Sequence, residues 1–114
     1  MNIIEPSTSP YSAPMVIVKK PDNSHRICLD FRRLNSLTVF DSEPMSDPEL
    51  IFANLSGNRY FSKIDLCKGY WQVPMAESSK QYTAFQTDKG LFQLRVLPFG
   101  LVNAPATINR QLWI

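Results

Sequence analysis

Nine prolines are spread through 114 residues. Each removes a backbone donor and fixes φ near −65°, so helices and central strands are interrupted wherever one falls. A chain punctuated this way has many turns and irregular connections, which argues against a helical bundle. The length allows one small domain at most. Such a domain buries roughly 60–70% of its unfolded surface, enough to fold alone if its sheet is complete. A hydrophobic content of 44%, with 11% aromatic, is that of a globular chain.

Between the prolines the pattern alternates between strand-like and helical. Residues 1–14 are rich in Ser and Pro and read as an extended leader. Met15–Val18 and Arg26–Phe31 flank the turn-forming Lys-Lys-Pro-Asp-Asn-Ser stretch, which predicts a β-hairpin with a basic rim. Residues 35–45 read as a loop. Ser46-Asp-Pro-Glu49 has the form of a capping box with Ser46 at its head, and Gly57 is placed to close the helix that follows. Tyr60–Leu66 then reads as a strand, with Phe61, Lys63 and Asp65 on one face. Trp71–Met75 reads as extended. Tyr82–Thr87 and Leu91–Val96 around Asp88-Lys-Gly90 predict a second hairpin. Asn103 is placed to cap a last helix, with Pro105 in its first turn and Ile108 and Leu112 as its apolar stripe. The fold class expected is α+β.

Net charge is only +2, yet Lys19, Lys20, Arg26, Arg32 and Arg33 crowd the first hairpin and its exit against Asp22 and Asp30. Such clustering suits a polyanion, although charge alone favours a solvated face. Cys28, Cys67 and the single His25 are too few for a zinc site and read as free thiols in a reducing compartment. The N-terminus has neither the basic nor the apolar region of a signal peptide, and no run is long enough to span a bilayer. The expected location is cytoplasmic or nuclear, with no membrane partner.

Asp65 closes the strand-like run Tyr60-Phe-Ser-Lys-Ile-Asp65, with Gly69-Tyr70 just behind it. Taken alone it reads as a strand-end carboxylate capping a turn. Its surroundings change that reading. Ser9-Pro-Tyr-Ser-Ala-Pro14, Val16–Lys20, Arg26-Ile-Cys-Leu-Asp-Phe-Arg-Arg-Leu-Asn35, Tyr60–Leu66, Thr83-Ala-Phe85 and Leu97-Pro-Phe-Gly-Leu-Val-Asn-Ala-Pro-Ala-Thr107 occur in one order. Together they resemble the reverse transcriptase of gypsy-type LTR retrotransposons and, more distantly, of retroviruses. The resemblance runs from about Ser9 to the end.

It implies the fingers and first half of the palm of a right-hand polymerase, with residues 15–114 forming a truncated reverse transcriptase domain. It makes Asp65 a catalytic, metal-binding carboxylate and the Leu66 carbonyl a further ligand for Mg2+ or Mn2+, hard cations that take oxygen donors and phosphate together. Lys20 and Arg26 fall where the family grips the phosphates of the deoxynucleoside triphosphate (dNTP). Taken alone, they read as a soluble hairpin rim. Tyr70 resembles the steric gate that excludes a 2′-hydroxyl, with Phe99 and Gly100 also lining the dNTP pocket; Trp71 reads as packing. Arg32 and Pro98 are implied nucleic-acid contacts. Retroviral enzymes usually have Gln where Phe99 stands, so Phe99 favours the retrotransposon branch.

The partners implied are an RNA or DNA template-primer, dNTP, and the remaining Pol domains: the rest of the palm, thumb and RNase H. The family's Tyr-x-Asp-Asp hairpin is expected after Ile114, so the 114 residues alone are expected to be inactive and prone to self-association. The alternative is a non-catalytic nucleic-acid-binding or interaction module derived from such an element.

Overall fold

The computed structural model describes residues 2–112. Its main sheet has three antiparallel strands in the order β1 (Ile4–Pro6), β5 (Gly90–Leu94), β4 (Phe85–Thr87). β4 and β5 are a hairpin in which Thr87 pairs with Gly90 across the Asp88-Lys89 turn. Gly90 has a φ of +127°, a conformation that side chains with a Cβ rarely take. A second sheet is the hairpin of β2 (Met15–Lys19) and β3 (His25–Leu29), turned through Asn23 at φ +66°. The two sheets are joined at Ala13, whose N–H donates to the Ala84 carbonyl at 2.7 Å.

The core lies where the main sheet meets the exit of the β2–β3 hairpin. Phe31, Phe85 and Leu94 form its centre, and Ile3, Ala13, Leu29, Leu34, Phe92 and Leu101 pack around them. Burying a side chain of this size stabilises by about 1.5–3 kcal/mol, so these few contacts carry much of the fold. Thr83, 1% exposed, completes the edge. Its hydroxyl donates to the Lys80 carbonyl at 2.7 Å and accepts from the Leu94 N–H at 2.9 Å, so a side chain satisfies a ladder amide at the end of β5.

Several local expectations are corrected. Residues 4–6, expected in an extended leader, are sheet strand β1. Period-two burial of Ile3, Glu5 and Ser7 and the pairing of Glu5 with Gln93 hold it there. Residues 32–37, partly expected as loop, form α1 (Arg32–Leu37). α2 (Pro48–Leu55) is capped by Asp47, whose carboxylate accepts from the Glu49 N–H at 3.0 Å. Ser46 is not the cap because Pro48 takes the first helical position and forces the residue before it to be extended. Ser56 is the C-cap, and Gly57 follows at φ +83°.

Tyr60–Leu66 has no regular secondary structure, because no other segment among the described residues lies alongside to build a ladder with it. Gly69–Gln72, expected in part as extended, is a 3-10 turn, and so is Glu77–Thr83, which shortens the second hairpin. α3 (Ala104–Leu112) forms as expected, with Pro105 in its first turn. Asn103 does not cap it by side chain. Its amide instead donates to the Val39 carbonyl and accepts from the Asp41 N–H, tying the 39–41 loop to the head of α3.

Candidate nucleotide and nucleic-acid site

Downstream of Asp65 the chain turns sharply. Lys68 adopts φ +50° and Gly69 opens the 3-10 turn. A Cβ on Gly69 would sit 3.4 Å from Ile108 of α3, so the turn lies directly against that helix. The Gln72 amide donates to the Cys67 carbonyl at 2.8 Å and closes the turn from behind. Val73 and Met75 then lock onto residues 95–97 through the Leu97 N–H to Val73 carbonyl and Met75 N–H to Arg95 carbonyl bonds. Tyr70 is thereby held against Phe99, with ring centroids 5.0 Å apart and planes at 72°, the edge-to-face geometry that aromatic pairs favour. Trp71 also packs on Phe99, at 6.3 Å, and carries the Lys68 ammonium 4.8 Å over its ring. Its expected packing role is what the geometry shows.

The bend at 98–100 is set from a distance. Pro98 is buried, Phe99 is half exposed, and Gly100 has φ +92°. The Asn35 side chain donates to the Gly100 carbonyl at 2.7 Å and accepts from the Val102 N–H at 2.9 Å. Asn35 positions the bend, a role that sequence reasoning missed. No local signal marks it, since its partners lie 65 and 67 residues away.

Lys20 and Arg26 share a face of the β2–β3 hairpin. Val18 stands opposite Arg26, and the Lys20 N–H to Ser24 carbonyl bond extends that register by one pair of the same parity. Neither makes an ion pair among the described residues. Arg32 is different. Its guanidinium grips Asp30, with Nη2 2.7 Å from Oδ2. The side-chain bond from Arg32, with a backbone bond and its charge, holds the Asp30 carboxyl down at about 2. Arg32 is therefore paired with a carboxylate, while Arg33 beside it makes no ion pair among the described residues. Both line a groove of about 1120 Å³ between Pro10–Pro14 and α1. Tyr11 and Tyr82 form one wall, their rings 5.2 Å apart.

Asp65 and Leu66 are exposed, and no described hydrogen bond or ion pair joins Asp65 to Lys20, Arg26 or Tyr70. A carboxylate and a carbonyl are the right donors for a hard divalent cation, but they are too few to hold one. Among the described residues no group of three or more His, Cys, Asp or Glu side chains could complete the set. Asp88 lies in the β4–β5 turn and does not supplement it.

Residues 18–112 match the family described as reverse transcriptase (RNA-dependent DNA polymerase). The chain is 43% identical to the retrovirus-related Pol polyprotein from transposon opus of Drosophila melanogaster, over 96% of its own length and 12% of the relative's. It is 38% identical to the Pol polyprotein from transposon gypsy of the same organism, over 96% of its length and 11% of that relative's. It thus spans about a tenth of these curated relatives. Among solved structures it is similar to the foamy viral protease-reverse transcriptase in complex with RNA/DNA hybrid. There the TM-score is 0.85 at 30% identity, covering 96% of this chain and 15% of that one.

Proposed function

The chain belongs to the reverse transcriptase (RNA-dependent DNA polymerase) family, and on that premise we propose that it contributes the nucleotide-selecting part of a template-directed deoxynucleotidyl transferase. Its sheets and helices are a partial right-hand polymerase fold, read here as fingers and the first part of the palm. The observation that carries the proposal is the Tyr70–Phe99 contact, which fixes an aromatic ring five residues beyond Asp65 against the 98–100 bend. An aromatic ring held in that position would select a sugar seated on it by clash, with no room for a 2′-hydroxyl. Lys20 and Arg26 supply a point charge and a planar fork on one hairpin face, a pairing suited to a triphosphate. Asp65 is exposed and would be one acidic ligand of a divalent metal whose remaining donors lie outside the described residues; such a metal would supply charge neutralisation on the phosphates. The described residues offer no second carboxylate beside it, so the 114 residues bind substrates without turning them over.

The test has two levels. The 114-residue chain is expected to bind an RNA/DNA hybrid with salt-sensitive affinity and to incorporate no deoxynucleotide. In a longer polypeptide that does extend a primer, Asp65→Asn is expected to abolish incorporation and Tyr70→Ala to admit ribonucleotides. Incorporation that survives Asp65→Asn would overturn the assignment.

A second reading, binding without chemistry, is favoured by Lys20, Arg26 and Arg33, which make no ion pair among the described residues, and by the groove at Tyr11 and Tyr82. It predicts the same salt-sensitive binding, with no requirement for Asp65 in any polypeptide that carries this segment.

A further inference from the structure

Phe99, the ring that receives Tyr70, is held from its two sides by different means. Upstream, Leu97 is buried and its N–H donates to the Val73 carbonyl at 2.8 Å, which fastens the chain to the segment that carries Tyr70. Downstream, Gly100 turns at φ +92° and the Asn35 side chain takes hold. Its Nδ2 donates to the Gly100 carbonyl at 2.7 Å, and its Oδ1 accepts from the Val102 N–H at 2.9 Å. The two bonds bracket the bend from another part of the chain.

Asn35 is itself firmly seated. Its N–H donates to the Phe31 carbonyl at 2.7 Å, and its own carbonyl accepts from the Thr38 N–H at 3.2 Å. Phe31 is 3% exposed at the centre of the core. The amide therefore carries the rigidity of the core to a ring that is half exposed and has little burial of its own. It is also the side chain the task requires. An amide donates and accepts at once, whereas aspartate keeps the acceptors without the donor and alanine has neither.

Tyr70 and Phe99 meet edge to face at 5.0 Å, and that geometry lasts only while both backbones stay in place. We infer that Asn35 is a positioning residue for sugar selection. By gripping Gly100 and Val102 it keeps Phe99 against Tyr70, and so sets how strictly a 2′-hydroxyl is refused. The inference rests on Tyr70 being the sugar-selecting ring, and it names a residue that acts on that ring only through Phe99.

The test is made in a primer-extending polypeptide that carries this segment, by measuring the ribonucleotide-to-deoxynucleotide ratio of kcat/KM. Asn35→Ala is expected to raise that ratio about fivefold, the scale of one net hydrogen bond. Asn35→Asp keeps the size and the Val102 bond but loses the donor to Gly100, and it should raise the ratio similarly. In a Tyr70→Ala background, Asn35→Ala should change the ratio by less than about twofold, because two residues that act through one contact do not add. In the 114-residue chain, the ring-to-ring NOE between Tyr70 and Phe99 should weaken in both Asn35 variants.

An Asn35 that merely supports the fold would lower both kcat/KM values together and leave their ratio unchanged. That outcome, with Tyr70→Ala still admitting ribonucleotides, overturns the inference alone. So does an Asn35→Ala effect that persists undiminished without Tyr70. A Tyr70→Ala variant that still refuses ribonucleotides overturns the reading of Tyr70 and this inference with it.

Discussion

Phe85 and Phe52 are the same residue in opposite circumstances. Phe85 sits in β4, 7% exposed, between Phe31 and Leu94. Phe52 sits in α2, 70% exposed, and every residue of that helix is exposed. The contrast extends to whole regions. The β1–β5–β4 sheet has the exit of the β2–β3 hairpin to close against, whereas α2 and the run after it have no facing layer among the described residues. An apolar face is worth its transfer free energy only where a second face removes it from water. Residues 48–66 therefore carry the composition of a core without its energetics.

The largest effect should come from truncating the sheet side. Phe85→Ala is expected to cost about 3–5 kcal/mol, as cavity-forming aromatic truncations do, and to abolish a cooperative urea transition in a domain this small. Phe52→Ala should change stability by no more than about 0.5 kcal/mol. If the two variants melt alike, the division between a packed and an unpacked region is wrong.

Thr83→Val keeps the shape but removes the hydroxyl, leaving the buried Leu94 amide without its acceptor. A loss of about 1–3 kcal/mol is expected, and the shortfall should appear as faster exchange at Leu94 itself. In the unpacked region the local rule still applies. Asp47→Ala should cost about 1 kcal/mol of helix stability and Ser46→Ala almost nothing, an asymmetry that residue-level helicity by NMR would show.

The smallest effect concerns pH. The folded-state pKa of Asp30 is depressed to about 2. The stabilisation from its bond to Arg32 is therefore complete above the ordinary aspartate range near 4 and disappears as pH falls toward 2. Asp30→Asn is expected to lower stability slightly at neutral pH and to flatten the acid limb between those values. A melting curve whose acid limb is unchanged would show that the pair is too solvated to count.

Much of the fold is legible in local pattern. The alternation of Met15–Lys19 and His25–Leu29 around a Pro-Asp-Asn turn specifies a hairpin through turn chemistry and period, and it forms. Asp88-Lys-Gly90 does the same for β4 and β5. The errors fall where a local preference needed a distant partner. Tyr60–Leu66 has the residues of a strand but no partner strand among the described residues. Residues 4–6 look like a leader, yet β5, more than 80 residues away in sequence, recruits them into the sheet. Ser46 lost the cap to Asp47 for a reason visible in the sequence, the clash of the Pro48 ring with a helical residue before it.

By itself the sequence determined the two hairpins and the helices at 48–55 and 104–112, the family and the chemical character of the candidate site: one carboxylate at Asp65, cations on a hairpin, and aromatics near Gly69 and Gly100. Periodicity, turn residues and ordered motifs are local properties, and a chain displays them before it folds. Only the tertiary structure decided that Tyr70 meets Phe99, that Asn35 holds the Gly100 bend, that Arg32 is occupied by Asp30, and that residues 59–66 lie open. Those outcomes depend on contacts between distant segments and on which layers find a partner, and side-chain identity alone does not specify either.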